Sequence, residues 1–139
     1  MKILIKNFQT KIPIYPTRIK KTIRKVFSAE KLAKSGEITV CFVRDAKITQ
    51  LNKKYHHRNS PTDVLAFDLT GAGPSGTLVG DIIVSTDTAV KNAKRYHTTP
   101  RYETELYVVH GILHLLGFSD HSAKQASVMR TKEKKYVHS

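Results

Sequence analysis

The most constraining feature of this 139-residue sequence is the run from Leu106 to Phe118, which is apolar on every side except at two histidines. Thr99 and Pro100, upstream of it, are typical of a helix N-terminus, and Gly117 is placed to end the helix. A helix that is apolar all round is a buried one, and this run is shorter than the roughly 18 residues that a membrane span needs. The sequence therefore predicts a central helix around which a soluble domain folds.

The two polar positions of this helix are His110 and His114, which lie four residues apart and so project from one face. Buried imidazole nitrogens without partners cost on the order of 1–3 kcal/mol each, and a metal ion would satisfy both rings. An isolated pair of this kind is more often structural. Here His121 returns after the break at Gly117, and three imidazoles with an open fourth position are typical of catalytic zinc. The pattern predicts one Zn²⁺ per chain, bound by His110, His114 and His121.

Size and charge limit the possible classes of protein. A chain of this length forms one domain, which we expect to cover residues 1–139. Lys and Arg number 24 against 11 Asp and Glu, a formal net charge of +13 that favours a polyanionic partner, nucleic acid first. An anionic membrane surface is the weaker alternative because no lipidation motif is present. The single Cys41 excludes an internal disulfide, and the first ten residues do not resemble a signal peptide, so we expect a cytoplasmic location.

The rest of the chain alternates between strand and helix patterns. Apolar periodicity predicts strands at 2–8, 37–43, 64–69 and 77–85, and helices at 17–34, 45–55, 86–97 and 122–136. In this scheme Gly36 ends the first helix, and Leu32 and Tyr55 face the core. This order predicts an α/β (α+β) fold with about four strands in a mixed sheet and the central helix lying against them. The histidines then open toward a cleft at the C-terminal end of that helix.

Two stretches of the chain resemble the signatures of the YbeY family of bacterial rRNA maturation factors. They are HGILHLLGF at 110–118, followed by Asp120 and His121, and PTDVLAF at 61–67. Further matches in the family's order are Gly80-Asp81-Ile82 with Ser85, Leu51-Asn52 with Tyr55, and Met129 with Glu133. The resemblance covers nearly the whole chain. It implies a compact α/β domain and a zinc-dependent endoribonuclease specific for single-stranded RNA, which matures the 3′ end of small-subunit (16S) rRNA and acts in ribosome quality control. The small ribosomal subunit is the implied partner.

The chain departs from this family pattern in two places. The family usually has five residues between its second and third histidines, whereas six separate His114 from His121 here. Either the turn bulges so that His121 binds the metal, or Asp120, at the usual spacing, is an oxygen ligand; His121 is favoured because a loop absorbs one residue easily. A family arginine thought to be important for activity falls at His56. Either Arg58, two residues later, reaches the same phosphate, or His56 has a weaker form of that role.

Arg58 is the candidate catalytic residue, because a guanidinium matches two phosphate oxygens and stabilises charge that develops on them. The plain alternative is a solvated loop cation. Gly111 stands where zinc proteases have a glutamate base, which argues against peptide hydrolysis and leaves the general base open between Asp120 and Asp63. A rival to the nuclease is a non-catalytic RNA-binding or ribosome-binding factor whose metal is structural.

Overall fold

The protein is described here by a computed structural model that covers residues 1–33 and 35–137. Its elements in chain order are β1 (Lys2–Asn7), α1 (Pro16–Glu30), β2 (Ser35–Val43), α2 (Asp45–His56), β3 (Val64–Asp68), a short 3-10 turn (Thr70–Ala72), β4 (Thr77–Ser85), α3 (Thr86–Tyr96), α4 (Pro100–Leu115) and α5 (Ala123–Tyr136). Strands alternate with helices as far as β3, β4 then follows β3 without an intervening α-helix, and three helices complete the order, so the predicted α/β (α+β) class is confirmed.

The four strands form one mixed sheet in the order β1-β2-β4-β3. The β1–β2 and β2–β4 pairs are parallel, and β3 pairs antiparallel with β4. Val40, at the centre of β2, pairs with Ile5 on one side and Ile82 on the other. The four-stranded mixed sheet and the interior position of β2 are as the sequence predicts.

The core lies mainly on one face of this sheet, between the strands and the helices α1 and α4. Every second side chain of β2 points to this face, and Val40 and Phe42 are fully buried there. Helix α4 contributes Val109, Ile112 and Leu113, which are also fully buried. Because its surroundings are apolar on nearly all sides, α4 is the buried central helix that the sequence predicts. Helix α2 covers part of the opposite face, where a smaller cluster is formed by Val43, Ile48, Leu65 and Ile83.

The first helix ends earlier than predicted. It stops at Glu30, and Lys31 takes a left-handed conformation (φ 55°) in which its N–H bonds to the Phe27 carbonyl at 3.2 Å. The assignment of Gly36 as the end of this helix is wrong, because Gly36 lies in β2, where a Cβ atom would be only 3.0 Å from the Phe27 ring. Leu32 follows the helix and is 58% exposed, so it is not a core residue. The predicted last residue of the helix, Lys34, lies outside the described residues.

Two glycines allow α4 to lie close against β4. A Cβ atom at Gly111 would be 3.0 Å from Ile82 Cγ2, and one at Gly80 would be 2.6 Å from Leu115 Cδ1. These two contacts also show that α4 runs antiparallel to β4. His110 and His114 are the neighbours of Gly111 and Leu115 in α4. Packing of the helix against the sheet therefore fixes where both histidines lie along the helix axis and the direction in which they project. Among the helices of the described ranges, none combines the length and the apolar character that crossing a membrane requires.

Candidate metal centre

Two imidazole rings meet near the C-terminal end of α4. The Nε2 atoms of His110 and His114 are 2.9 Å apart, and the rings lie edge to face with their centroids separated by 4.4 Å. Thr99 accepts a hydrogen bond from the Tyr102 N–H at 3.1 Å and Pro100 occupies the first turn, so the helix begins where the sequence predicts. Both imidazoles are partly exposed, at 24% and 31%, which leaves the pair open to solvent on one side.

Helix α5 holds the other nitrogen of His110. The Nδ1 atom lies 2.7 Å from Glu133 Oε2, and because an ionised carboxylate only accepts hydrogen bonds, Nδ1 is the donor. In the neutral ring, Nε2 then presents a lone pair toward His114. Burial lowers the pKa of His110, but the hydrogen bond and the charge of Glu133 outweigh that effect and keep the pKa above its usual value. This is the carboxylate–histidine arrangement that orients imidazole ligands in metal sites.

Glu133 is not among the site residues that the sequence predicts; only its place in the family resemblance marks it. The signal that could have found it is local to α5. Met129 is 2% exposed and marks the buried face of this helix, and Glu133 lies one turn later on that face. Glu133 is also the one acidic residue of α5, between basic neighbours on both sides. An inward-facing carboxylate on a basic helix predicts a specific polar partner, although it does not identify that partner.

Contacts at both ends fix α5 in position. Ser122 and Gln125 form a reciprocal capping box at its N-terminus, with hydrogen bonds of 3.1 Å in each direction. Near its C-terminus, Lys132 Nζ lies 2.8 Å from Glu30 Oε1, and the Tyr136 hydroxyl donates to the other oxygen of Glu30. The carboxylate that orients His110 therefore projects from a rigid element.

His114 has the opposite electrostatic balance. Burial is the largest effect and lowers its pKa, and the charge of His110 lowers it further. The Asp120 charge and a hydrogen bond with the Phe118 backbone raise the pKa, but not enough to restore the usual value. The imidazole is thus held in its neutral form near pH 7, which is the form that binds a metal ion.

The chain leaves α4 through a tight turn. Gly117 has a φ of 103°, and the N–H groups of Gly117 and Phe118 donate to the carbonyls of His114 and Leu113, each at 3.0 Å. Only glycine adopts this backbone conformation without strain, so the predicted stop at Gly117 is confirmed.

After this turn, Asp120 is the residue that lies against the two imidazoles. Its Oδ2 atom is 3.6 Å from Nε2 of His110 and 3.8 Å from Nε2 of His114. His121 is exposed, and its backbone N–H bonds to Ser119 Oγ at 3.3 Å. Within residues 1–33 and 35–137, the one group of three potential ligands is His110, His114 and Asp120, whose ligand atoms all lie within 4.8 Å of one another. The structure thus brings together two of the three predicted ligands, and His121 is outside the group.

The donor set fits a divalent metal ion. The separations of 2.9, 3.6 and 3.8 Å between the three ligand atoms define a triangle. The point equidistant from its corners lies about 2.0 Å from each, and zinc binds nitrogen and carboxylate oxygen at about 2.0–2.2 Å. Two neutral imidazoles and a carboxylate are common ligands, and three protein donors leave a position open. This group can therefore hold a metal ion with little rearrangement.

Arg58 lies on the exposed loop that follows α2. Asn52, which is 5% exposed, shapes this loop: its side chain donates to the Ser60 carbonyl at 3.0 Å, and its own carbonyl accepts from the Arg58 N–H at 3.4 Å. In the part of the chain that the structure describes, the Arg58 guanidinium has no hydrogen bond or ion pair, so it is available to an anion. His56, the alternative, stacks on the Phe67 ring at a centroid distance of 6.1 Å.

Tyr55, at the end of α2 beside this loop, does not lie where the sequence predicts. Tyr55 does not face the core as expected, because its side chain is 52% exposed. Its ring instead packs edge to face with the Phe67 ring, and the two ring centroids are 5.2 Å apart.

Asp63 immediately precedes β3, and its contacts are with the backbone. Its Oδ1 atom accepts the Val64 N–H at 2.8 Å, and its carbonyl accepts the Ser85 N–H at 2.9 Å, which ties the turn to the end of β4. Its charge also raises the pKa of His110, which places the carboxylate within electrostatic range of the centre. The Asp63 carboxylate thus bonds to the backbone of its own turn.

Comparisons with known proteins relate the chain to a known family. The family model described as "Endoribonuclease YbeY" matches residues 4–139. A protein of that name from Pelotomaculum thermopropionicum is 30% identical over 145 residues, which cover 99% of this chain and 95% of the relative. Another, from Moorella thermoacetica, is 33% identical over 96% of this chain and 93% of the relative.

The fold is also similar to a solved structure. The solution structure of a protein from Thermotoga maritima matches 96% of this chain and 85% of its own, with a TM-score of 0.61 and 27% sequence identity. The α/β architecture described above is thus also found in an experimentally determined structure.

Proposed function

Because this chain belongs to the endoribonuclease YbeY family, which makes it an RNA-cleaving hydrolase, we propose that it is zinc-dependent and specific for single-stranded RNA. The proposed substrate is the 3′ end of small-subunit (16S) rRNA, with further action in ribosome quality control. The observation that carries the proposal is the convergence of the His110 and His114 Nε2 atoms with a carboxylate oxygen at an open surface. The functional unit is a single domain over residues 1–139.

In this proposal His110 and His114 hold the ion through their Nε2 atoms. The third ligand comes from the segment after Gly117: His121 stays the prediction from sequence, and Asp120 is the residue that lies against both imidazoles. A bound Zn²⁺ supplies Lewis acidity toward a phosphoryl oxygen. Glu133 keeps the His110 ring in the orientation and tautomer that binding needs.

Arg58 is the proposed catalytic residue of the protein itself. Its guanidinium binds two oxygens of the scissile phosphate and stabilises the charge that develops there. The loop geometry set by Asn52 supports this role, since it leaves the guanidinium exposed.

The charge of the chain agrees with a polyanionic substrate. A net charge of +13 favours phosphate contacts, and binding that depends on such contacts weakens steeply as salt rises. The small ribosomal subunit is the proposed partner and the cytoplasm the proposed location. A single cysteine without a disulfide partner fits that compartment.

Cleavage of an end-labelled RNA with single-stranded and duplex segments tests the proposal. The reactions contain the purified protein alone, with chelator, with zinc restored, and with a His114→Ala variant. We expect cuts in single-stranded segments only, lost with chelator and in the variant, and restored to the wild type by zinc. His97→Asn is the matched control, because it removes a remote, exposed histidine at a left-handed position that asparagine tolerates. Full activity of metal-free protein or of His114→Ala would contradict zinc dependence.

A further inference from the structure

We propose that Asp120, rather than His121, is the third protein ligand of the metal, so that the centre consists of two imidazoles and one carboxylate. This inference rests on the metal dependence proposed above and goes beyond it by naming the ligand set. The chain has two adjacent potential ligands here, Asp120 and His121. Which of them binds determines the charge and the metal preference of the centre.

The distances between ligand atoms are the first argument. Asp120 Oδ2 lies almost equally far from the two imidazoles, 3.6 Å from one Nε2 and 3.8 Å from the other, which places it across the open side of the pair. Ligands of one tetrahedral ion with bonds of about 2.1 Å are roughly 3.4 Å apart, so these separations are those of atoms that share an ion. A carboxylate that only accepted a hydrogen bond from one ring would lie nearer to that ring, at about 2.7–2.9 Å.

The path of the chain is the second argument. Only residues 119–121 connect two fixed points: Phe118, whose N–H bonds to the Leu113 carbonyl at 3.0 Å, and Ser122, which caps α5. Within this short link the His121 N–H bonds to Ser119 Oγ at 3.3 Å, so the extra serine closes the turn on itself. His121, the neighbour of Asp120, is exposed and lies outside the group of three ligand atoms. When Asp120 faces the imidazoles, His121 faces solvent, and exchanging them requires that this turn be rebuilt.

The surroundings of the ring pair are the third argument. Phe118 packs against the core, and Lys132 Nζ of α5 lies 4.7 Å from the centre of its ring, so the start of the link is anchored. The Asp120 side chain is 42% exposed, and it approaches the histidines from the solvent side. A carboxylate in this place closes one side of the ligand triangle and leaves the outer side open to substrate.

A carboxylate ligand has a chemical consequence. It carries a negative charge, where imidazole is neutral, and carboxylate oxygen suits harder ions such as Mn²⁺ better than imidazole does. We therefore expect the centre to discriminate less between zinc and manganese than a site of three imidazoles does. Asp120→His should raise the ratio of zinc affinity to manganese affinity.

X-ray absorption at the zinc edge tests the ligand set directly, because imidazole rings produce outer-shell scattering that carboxylates lack. Zinc-loaded wild type should contain two imidazoles per zinc, and Asp120→His should contain three. Three imidazoles in the wild type would overturn the assignment.

Zinc affinity, measured by competition with a chelating dye, gives an independent test. Asp120→Asn should weaken zinc binding at least tenfold, because mutation of a residue that merely hydrogen-bonds to a metal ligand already lowers metal affinity about 10–100-fold. His121→Gln should change zinc affinity by much less than this tenfold. Lys124→Ala, an exposed change in the first turn of α5, is the control, and thermal melting of each metal-free variant verifies folding. The reverse order of the two effects, or no effect of Asp120→Asn, would refute the proposal.

The two proposals fail in different ways. If RNA cleavage by the wild type persists fully in chelator, zinc dependence fails together with the ligand set that rests on it. If cleavage depends on zinc but absorption spectroscopy finds three imidazoles, only the assignment of Asp120 is overturned.

Discussion

The Nδ1 atom of His110 and the Oε2 atom of Glu133 are 2.7 Å apart, although the two residues are separated by 23 positions in the chain. This contact joins α4, which carries the histidines, to α5, whose Met129 and Tyr136 side chains are buried. Its position makes the metal-binding nitrogen of His110 dependent on the docking of the last helix. Metal affinity and the stability of the α4–α5 contact should therefore change together.

Replacing Glu133 tests this dependence. Glu133→Ala removes the acceptor for Nδ1–H, so the ring can rotate or change tautomer, and we expect zinc affinity to fall about 10–100-fold. Glu133→Gln keeps an acceptor oxygen without the charge and should recover part of the loss. Lys134→Ala, an exposed change at the next position of the same helix, should leave affinity unchanged. Equal zinc affinity of Glu133→Ala and the wild type, measured by dye competition, would show that His110 is oriented by other contacts.

The contacts of Glu30 with α5 predict a pH dependence of stability. Burial raises the pKa of Glu30, but the hydrogen bonds from Lys132 and Tyr136 outweigh it, so the pKa lies below its usual 4.5. A carboxyl whose pKa is lowered in the folded state stabilises that state above its unfolded pKa, and this contribution is lost as pH falls through the folded pKa. The free energy of unfolding should thus hold near neutral pH and decline below about pH 4.5.

Glu30→Gln isolates this effect. At pH 7 the variant should unfold more easily, by about 1–3 kcal/mol, because a group with 7% of its side-chain surface exposed loses charge-assisted hydrogen bonds. The difference from the wild type should shrink as pH falls through the folded pKa, since the wild-type carboxyl then becomes neutral too. The measurement is urea unfolding at pH 7 and at a pH below the folded pKa of Glu30. Glu37→Gln on β2 is the control. A difference that stayed constant with pH would assign the loss to packing instead of charge.

Gly80 and Gly71 form a matched pair for testing the contact between α4 and β4. A Cβ atom at Gly80 would lie 2.6 Å from Leu115 Cδ1 and 3.0 Å from the Phe67 carbonyl oxygen, whereas one at Gly71 would meet nothing within 4 Å. Gly80→Ala should therefore lower the free energy of unfolding by about 1–3 kcal/mol, the usual effect of overpacking. Gly71→Ala should change it by less than about 0.5 kcal/mol, as surface substitutions do. Equal melting temperatures for both variants would mean that Leu115 and the strand adjust without cost.

Some of this architecture follows from local sequence rules, and some does not. Helix α4 is predictable because its capping residue, its proline and its apolar run all lie within the segment itself, and the spacing of His110 and His114 follows from helix geometry. The predicted end of α1 lies beyond the observed one because a lysine, Lys31, and not a glycine, adopts the left-handed conformation there. The sequence offered no local signal for this choice.

The identity of the residue against the imidazoles depends on tertiary contacts. Asp120 and His121 are adjacent, and which of them faces His114 is set by the turn at Gly117 and by the docking of α5. The partner of Glu133 depends on the same docking. Spacing along the chain cannot determine contacts that form only when two helices pack.

Arg58 provides the test of catalysis by the protein's own residues. Arg58→Ala should lower the rate of RNA cleavage on the order of 10²-fold, the typical loss when one group that stabilises transition-state charge is removed. Zinc affinity should not change, because the guanidinium has no hydrogen bond or ion pair with the metal ligands in the described residues. Arg58→Lys should recover little activity, since an ammonium group cannot bind two phosphate oxygens in the same way.

The control and the alternative for Arg58 are both present in the chain. Arg95→Ala removes another exposed arginine, which lies over the Tyr96 ring on α3, and should leave the cleavage rate unchanged. His56→Ala tests the histidine at the position of the family arginine, whose ring stacks on Phe67. A larger loss of cleavage in His56→Ala than in Arg58→Ala, with zinc affinity intact in both, would transfer the catalytic role to His56. Equal and small losses in both would mean that phosphate charge is stabilised elsewhere, and Arg58 would then be a solvated loop cation.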